Sequence, residues 1–390
     1  MVTLKDNFSQ LKTNTDSVSK ALPNEAESRI IFASQWQLIW WRFRKHKLAL
    51  VSSVVVILIY FVAIFAEFLA PFTTERKIPK LAYAPPQSLH FWENTEDGIQ
   101  FDLFVYNYTT EIDALSLKRN FKTDTTKKIP VRFFVKGEPY HLFGLIPLER
   151  HFIGPVDLKA PMYLLGADRL GRDLFSRIIY GTRVSMSIGL VGVVLSLVIG
   201  VLLGGISGYY GGTTDMLIQR LVEILRSMPT IPLWMGLAAA IPDFWSPELV
   251  YFMITIILSV IGWTWLAQAV RGKFYSLKTE DFVVAAKLDG CSELQVIVFH
   301  MIPSFVSHII ATLTLAIPQM IIAETALSFL GIGLRPPVVS WGVLLREAQN
   351  VRVLSTSPWL FLSGIAVVIA VLALNFLGDG IRDAADPYKS

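Results

Sequence analysis

The sequence "VAAKLDGCSELQVIVFHMIP" (residues 284–303) separates two long apolar stretches of the chain. The stretch before it, Leu249–Val270, contains no charged residue, and His308 is the one ionisable residue in the stretch after it, Met301–Ala323. A helix that crosses a bilayer needs ~20 mostly apolar residues, and both stretches reach that length. The quoted segment is therefore predicted to be a polar connection between two transmembrane helices.

The composition of the whole chain agrees with a membrane protein. Of the 390 residues, 53% are hydrophobic and 17% are charged, whereas about a quarter of the residues in a soluble domain are charged. Three further stretches are long and uncharged, namely Leu48–Ala66, Val184–Tyr210 and Val353–Gly378. They predict three more transmembrane helices.

A shorter apolar stretch around Ser227–Pro242 contains Pro229 and Pro232, and it predicts a sixth transmembrane helix that begins near Met216. Glu223 and Arg226 would lie one turn apart in this helix and could form an ion pair. The chain is thus predicted to be an all-α polytopic membrane protein with six transmembrane helices.

Basic residues set the predicted orientation. Arg42, Arg44, Lys45 and Lys47 lie at the start of the first apolar stretch, and such clusters favour the cytoplasmic side. Six crossings return the C-terminus to that side, so both termini are predicted to be cytoplasmic. Because basic residues lie at the membrane edges, the net charge of +4 does not predict binding to nucleic acid. The single cysteine, Cys291, excludes a disulfide within the chain.

Polar and apolar blocks divide the chain into consecutive parts. They are a cytoplasmic N-terminal tail (1–46), the first transmembrane helix (47–70), an extracytoplasmic insert (71–165), an interfacial amphipathic helix (166–183), a core of five transmembrane helices (184–378) that includes a cytoplasmic elbow (279–303), and a cytoplasmic C-terminal tail (379–390). Runs such as "FDLFVYNY" (101–108) and "IPVRFFVKG" (129–137) predict that the insert is a small β-rich unit.

The amphipathic helix is predicted from a repeat before the second long apolar stretch. Leu170, Leu174 and Ile178 recur every four residues, and Arg172 and Arg177 occupy the other face. Such a pattern is typical of a helix that lies in the membrane interface.

Gly200, Gly204 and Gly208 form a doubled G-x-x-x-G pattern within the second apolar stretch. Small residues at this spacing allow helix backbones to approach closely in lipid, so the pattern predicts helix packing. A substrate path lined by glycine backbone is the alternative interpretation.

The sequence contains no familiar enzyme motif. It lacks a phosphate-binding G-x-x-x-x-G-K-[ST] loop, a Gly-rich dinucleotide loop, H-E-x-x-H, a Cys/His cluster and G-x-S-x-G. A non-catalytic protein without a metal site is therefore predicted. Glu67, His308 and Glu324 are ionisable residues within or near predicted spans. They suit either an ion relay in a secondary transporter or simple hydrogen bonding inside the helix bundle; a membrane scaffold or enzyme is a third alternative, without an identifiable active site.

The opening segment has the pattern of two short helices joined by a glycine. A first helix is predicted over Thr279–Asp289, and Gly290 follows where a helix end favours a left-handed residue. Ser292 and Gln295 have the spacing of a capping box at the start of a second helix. Pro303 is predicted to end this helix–glycine–helix elbow on the cytoplasmic side.

The elbow resembles the cytoplasmic loop of ABC importer permeases, whose pattern is E-A-A-x-x-x-G, nine residues, then I-x-L-P. The spacing is kept in full by Val284-Ala285-Ala286, Gly290, His300 and Ile302-Pro303. Val284 replaces the glutamate of the family pattern, and His300 replaces its isoleucine.

Four further segments resemble the C-type subunit of oligopeptide and dipeptide permeases. They are "KHKLALV" (45–51), "LGADRLGRDLFSRIIYGTRVS" (165–185), "ETALSFLGIGLRPPVVSWG" (324–342) and "NFLGDGIRDAADP" (375–387). The resemblance covers roughly residues 40–70 and 164–390 and does not include the insert.

The resemblance implies a six-helix type I ABC importer permease core in the bacterial cytoplasmic (inner) membrane. It implies a B-type sister permease, two cytosolic ABC ATPases that use ATP and Mg, an extracytoplasmic solute-binding protein and membrane lipid as partners, with no cofactor bound by this chain. Oligopeptide is the expected substrate, and oligosaccharide is the alternative. The insert either contacts the binding protein or is an external domain without that role. The residues that the resemblance assigns to the ATPase-coupling elbow are Val284, Ala285, Ala286, Asp289, Gly290, Ser292, Gln295, His300 and Pro303.

Overall fold

The computed structural model describes residues 35–95, 98–112 and 119–385. The helices in chain order are α1 (Gln35–Lys45), α2 (Lys47–Ile64), α3 (Ala66–Leu69), α4 (Leu174–Tyr210), α5 (Gly212–Ser227), α6 (Thr230–Ala239), α7 (Pro247–Leu277), α8 (Asp281–Leu288), α9 (Glu293–Gln295), α10 (Ile302–Ser304), α11 (Val306–Phe329), α12 (Trp341–Glu347), α13 (Val351–Thr356) and α14 (Leu362–Ala385). The strands are β1 (His90–Thr95), β2 (Gly98–Ile112), β3 (Arg119–Leu142) and β4 (Ile146–Pro155). There are also two 3-10 turns, Pro79–Leu81 and Pro358–Phe361, and a π-helix, Val296–Met301.

Within the described ranges, five helices are long and apolar enough to cross a membrane. They are α2, α4, α7, α11 and, together with the 3-10 turn before it, α14. Each overlaps one of the five long apolar stretches of the sequence, so these five predicted spans are confirmed by helix length and composition.

The sixth predicted span is not one continuous helix. It consists of α5 and α6, which are separated by extended backbone at Met228 (ψ 138°) and Pro229 (ψ 122°). A residue before proline avoids the helical region because its backbone clashes with the proline ring, which explains the break. A count of six transmembrane helices is therefore not confirmed.

The predicted ion pair between Glu223 and Arg226 is also wrong. Among the described side chains, Glu223 lies 2.8 Å from Arg220 Nη1, one turn earlier in α5. The guanidinium carbon of Arg226 lies 4.1 Å from the centre of the Trp265 ring. Arg226 therefore connects α5 to α7, which an ion pair within α5 would not do.

The pair α5–α6 lies alongside α7, from the C-terminal end of α7 to its N-terminal end. Tyr209, just before α5, belongs to the same buried cluster as Phe274 near the C-terminus of α7. Ala238, near the end of α6, shares a buried cluster with Ile254 near the N-terminus of α7. The broken helix pair consequently runs along the bundle, although neither part is long enough to span alone.

The predicted interfacial helix over 166–183 does not exist as a separate element. Asp173 caps α4 by accepting a hydrogen bond from the Ser176 amide at 2.7 Å, and α4 continues without a break to Tyr210. Leu170 lies in the loop before this cap and is exposed. The apolar repeat after residue 173 thus belongs to the first turns of the long helix.

The predicted β-rich insert is confirmed as a small sheet. Its four strands form an antiparallel meander in the order β1-β2-β3-β4. The two runs quoted above lie in β2 and β3, and Val105 and Val131 from these runs belong to the sheet's buried apolar cluster. Strands β3 and β4 contact α3, so the sheet is attached to the chain where it leaves the first transmembrane helix.

Candidate functional site

The elbow between α7 and α11 begins with α8, whose end depends on one glycine. The amide of Cys291 donates to the Ala286 carbonyl at 3.1 Å, and the amide of Gly290 donates to the Lys287 carbonyl at 3.1 Å. These two bonds define a Schellman motif, which requires a left-handed residue after the helix. Gly290 has a φ of +83°, as the sequence predicts.

The second arm begins with the predicted capping box, which is confirmed. The Ser292 amide donates to Gln295 Oε1 at 2.8 Å, and the Gln295 amide donates to Ser292 Oγ at 3.4 Å. The backbone then forms the π-helix Val296–Met301 and the short α10. The end predicted at Pro303 lies two residues too early, because proline is tolerated in the first turn of α10 and the break falls at Phe305 (φ −127°).

One side of the elbow is packed firmly against the transmembrane helices. Val283, Ala286, Val296 and Met301 are buried in one cluster with Phe274 of α7. Two polar contacts join the elbow to the end of α4 as well: the Tyr210 hydroxyl donates to Glu293 Oε2 at 2.9 Å, and Lys287 Nζ lies 5.1 Å from the Tyr209 ring centre. A force on the elbow would therefore reach both α4 and α7.

The opposite side of the elbow exposes large apolar side chains, and we call this side the outer face. Leu288 is 82% exposed, and Leu294 and Phe299 are each 71% exposed. Phe282 and Val284 add smaller exposed areas, at 41% and 43%. Exposed apolar patches of this kind mark protein or membrane interaction sites.

The residues assigned to the elbow by resemblance divide between its two sides. Ala286 is buried, so only Ala285 of the alanine pair lies on the exposed surface. His300 is half-buried, with Nδ1 3.4 Å from the Gln295 carbonyl oxygen. The exposed members are Val284, Ala285, Asp289, Gly290, Ser292, Gln295 and Pro303.

Sequence reasoning missed the residues that dominate the outer face. Leu288, Leu294 and Phe299 were not among the candidates, because an apolar residue in a short helix is as easily explained by packing. Their position around the capping box of an otherwise polar segment was the available signal.

The three glycines of the doubled G-x-x-x-G pattern in α4 all lie against α7. A Cβ added at Gly200 would be 2.9 Å from Leu266 Cβ, and one at Gly204 would be 2.9 Å from Ala267 Cα. At Gly208 an added Cβ would be 2.6 Å from the Arg271 carbonyl oxygen. Such contacts fit the predicted helix packing, since no larger side chain can enter without moving α7.

Glu324 is fully buried and lies among serine hydroxyls. Ser340 and Ser328 donate to Oε1 at 2.7 and 2.8 Å, and Ser185 donates to Oε2 at 3.3 Å. The three serines come from α4, α11 and the cap of α12, so the carboxyl group joins these elements.

His308 lies in the first turn of α11 and is exposed. Sixteen residues of helix separate it from Glu324, which corresponds to about 24 Å. Glu67 is engaged by the Arg183 guanidinium. These ionisable residues therefore do not form a connected relay, and no group of three metal-ligating side chains occurs in the described part of the chain.

Comparison with known proteins gives matches on both sides of the sheet. The model of the "binding-protein-dependent transport system inner membrane component" family matches residues 200–389, and that of the "N-terminal TM domain of oligopeptide transport permease C" matches residues 34–86. The oligopeptide transport system permease protein OppC of Haemophilus influenzae is 38% identical over 226 residues, which cover 58% of this chain and 70% of that protein. The chain belongs to this family of inner-membrane permeases.

Two other comparisons accompany these. The dipeptide transport system permease protein DppC of Bacillus subtilis is 36% identical over 223 residues, which cover 57% of this chain and 68% of that protein. The methionine transporter MetNI in an inward-facing conformation has a chain with 16% identity and a TM-score of 0.42, covering 54% of this chain and 96% of that one.

The regions matched by the family models include the elbow but not the sheet. The elbow and the patterned glycines Gly200, Gly204 and Gly208 lie inside the family match over 200–389. The sheet formed by β1 to β4 lies outside both matched regions, so it is an addition to the parts that the family models describe.

Proposed function

We propose that this chain is the C-type transmembrane subunit of an ATP-driven importer for oligopeptides and that its elbow couples it to a cytosolic ATPase. The observation that carries the proposal is the two-sided elbow, which is packed against α4 and α7 on one side and exposes Leu288, Leu294 and Phe299 on the other. The names of the relatives, oligopeptide and dipeptide permeases, support peptide as the substrate class.

The proposed complex contains four kinds of subunit. A B-type sister permease completes the translocation path, two ABC ATPases bind on the elbow side, and a solute-binding protein delivers the peptide on the other side. ATP and Mg are used by the ATPases, and this chain is a non-catalytic subunit. In this proposal the pair α5–α6 serves as the sixth crossing of a type I importer core, and both termini and the elbow lie in the cytoplasm of a bacterial cell.

The coupling step follows from how the elbow is held. The outer face binds a groove in one ATPase, and closure of the two ATPases on ATP displaces the elbow. Because the buried side is packed on Phe274 and beside Tyr209, α7 and α4 move with it. The permease thereby changes between inward-open and outward-open arrangements, a two-state equilibrium biased by nucleotide.

Two alternatives are less well supported. An oligosaccharide importer would use the same machinery, and the binding protein would make the distinction. An ion-driven secondary transporter would need connected ionisable groups, whereas Glu324 is surrounded by three serine hydroxyls and lies far from His308.

Co-purification tests the proposal. The full chain, with a C-terminal tag, is extracted gently from its native membrane, and the bound proteins are identified by mass spectrometry. A phosphate-binding-loop ATPase and a second multi-span permease are expected. The variant Leu288→Ser/Phe299→Ser should retain the sister permease and lose the ATPase that this chain binds, so that only the ATPase bound to the sister permease remains.

The matched control is Phe91→Ser/Trp92→Ser, which changes exposed apolar residues of the sheet and should retain both partners. A chain that purifies alone would contradict the importer assignment. Full retention of the ATPase by the elbow variant would contradict the coupling role of the outer face alone.

A further inference from the structure

The hairpin of β3 and β4 ends in a turn whose side chains are apolar and exposed. Leu145 is 81% exposed, and Phe143 and Ile146 are each 51% exposed. We call residues 142–146 the tip. Charged residues return further up the hairpin, where Lys136 Nζ lies 2.7 Å from Glu149 Oε2. The hairpin therefore has an apolar end, whereas its stem carries charged side chains as well as aromatic ones.

The hairpin is fixed to the chain segment that follows the first transmembrane helix. The buried His151 of β4 has Nδ1 2.6 Å from the Ala70 carbonyl oxygen and Nε2 2.9 Å from the Glu138 carbonyl oxygen. The Glu138 carboxylate accepts a hydrogen bond from the Thr73 amide at 3.1 Å. The position of the tip is consequently set by the end of α2 and by α3.

Aromatic contacts show where the tip lies relative to the end of α2 and the membrane boundary. The Phe143 ring centre is 6.3 Å from that of Phe65, the residue that ends α2, and stem residues Phe134 and Phe152 each lie 6.0 Å from Phe68. Helix α2 has 18 residues, or about 27 Å, close to the ~30 Å hydrocarbon core of a bilayer. Phe65 therefore lies at the membrane boundary, and the tip lies beside it.

The tip also continues an apolar surface of α2. Val54, Leu58 and Phe61 are exposed on this helix, at 57%, 56% and 47%. The Phe61 ring centre is 4.8 Å from that of Phe65, which in turn lies next to Phe143. An exposed apolar surface on a helix of this length suits contact with the hydrocarbon core of a bilayer, and the tip extends that surface.

The turn at the tip places a bulky residue, Phe143, in the left-handed backbone conformation. Phe143 has a φ of +56° and is followed by Gly144 at +71°. Glycine and asparagine are the residues that favour left-handed turn positions, whereas a bulky side chain there is rare. Turn formation alone therefore gives no reason for a phenylalanine at this position.

We propose that the tip inserts into the interfacial region of the bilayer beside α2 and holds the sheet against the membrane. Apolar side chains that enter the boundary between headgroups and acyl chains bind lipid through their buried area. The occupant is lipid, and the proposal holds for either orientation of the chain because Phe65 ends a transmembrane helix in both cases.

Spin labels measure the insertion directly. In a Cys291→Ser background, a label is attached to Leu145→Cys in the full chain, co-expressed with its partner subunits and placed in lipid nanodiscs. Collisions are compared for oxygen, which concentrates in lipid, and for a water-soluble nickel chelate. Ile112→Cys, at an apolar position of β2 that is 63% exposed, is the matched control.

The proposal predicts that the label at residue 145 collides mainly with oxygen and that the label at 112 collides mainly with nickel. A label at 145 that collides with nickel as often as the one at 112 would place the tip in water and overturn the proposal. A label at 145 that collides little with either reagent would show that a protein covers the tip, which overturns it as well.

Discussion

Replacement of Gly290 by valine is expected to uncouple the elbow without unfolding the permease. The left-handed conformation at this residue (φ +83°) costs an L-residue roughly 1–2 kcal/mol, and a β-branched side chain is among the least suited to it. No heavy atom of the described residues lies within 4 Å of an added Cβ, so the cost arises from the backbone and not from a clash. The ratio of elbows that keep the left-handed turn at residue 290 to elbows that lose it should fall roughly 5- to 30-fold.

The assay is ATP-driven peptide uptake into proteoliposomes that contain the whole complex and its binding protein. Gly290→Val should lose most of the uptake at an unchanged amount of membrane-inserted protein. Gly290→Asn is the control, because asparagine enters the left-handed region at lower cost, and it should retain most activity. Wild-type uptake by the valine variant would refute the role of Gly290. Equal loss in both variants would show that side-chain size matters there, and not φ.

Three further variants test the packing of the chain. Gly204→Val should lower the midpoint of thermal unfolding in detergent, since overpacking against Ala267 costs about 1–3 kcal/mol. Gly236→Ala is the control and should leave the midpoint unchanged, because no described neighbour lies within 4 Å of an added Cβ. Equal midpoints for the two variants would contradict close packing of α4 on α7. Glu324→Gln should give a higher yield of folded protein than Glu324→Leu. Leucine leaves three buried serine hydroxyls without their acceptor, at a cost of about 1–3 kcal/mol each. Equal yields would argue against the serine cluster. His151→Ala should make the loop at 143–145 sensitive to protease while the transmembrane helices stay intact. The reason is that both contacts of the imidazole ring with backbone carbonyls are lost. Unchanged digestion would show that other contacts hold the hairpin in place.

Local rules of the sequence were sufficient for the turn and the capping box of the elbow, although not for its end at Phe305. Gly290 and the Ser292–Gln295 pair are signals whose meaning depends on the adjacent four or five residues, and the observed turn and capping box follow them. The same reasoning overlooked Asp173, whose side chain caps α4 and so moves the start of a 37-residue helix ahead of the predicted span.

Features that depend on distant segments could not be read from the sequence. The acceptor role of Glu324 needs Ser185 and Ser340, which lie 139 and 16 residues away along the chain. The exposure of Leu288 and Phe299 depends on which side of the elbow packs against α4 and α7, and an apolar pattern alone does not distinguish the two sides. The place of the hairpin tip beside Phe65 likewise follows only from the fold of the insert.

The energy source of transport tests the central claim most directly. The complex is reconstituted with its binding protein, and uptake of a labelled oligopeptide is measured with ATP on the elbow side or with an imposed proton or sodium gradient. The proposed function predicts uptake that requires both ATP and the binding protein and persists when ionophores abolish the gradients. Uptake by this chain alone, driven by an ion gradient without ATP, would contradict it.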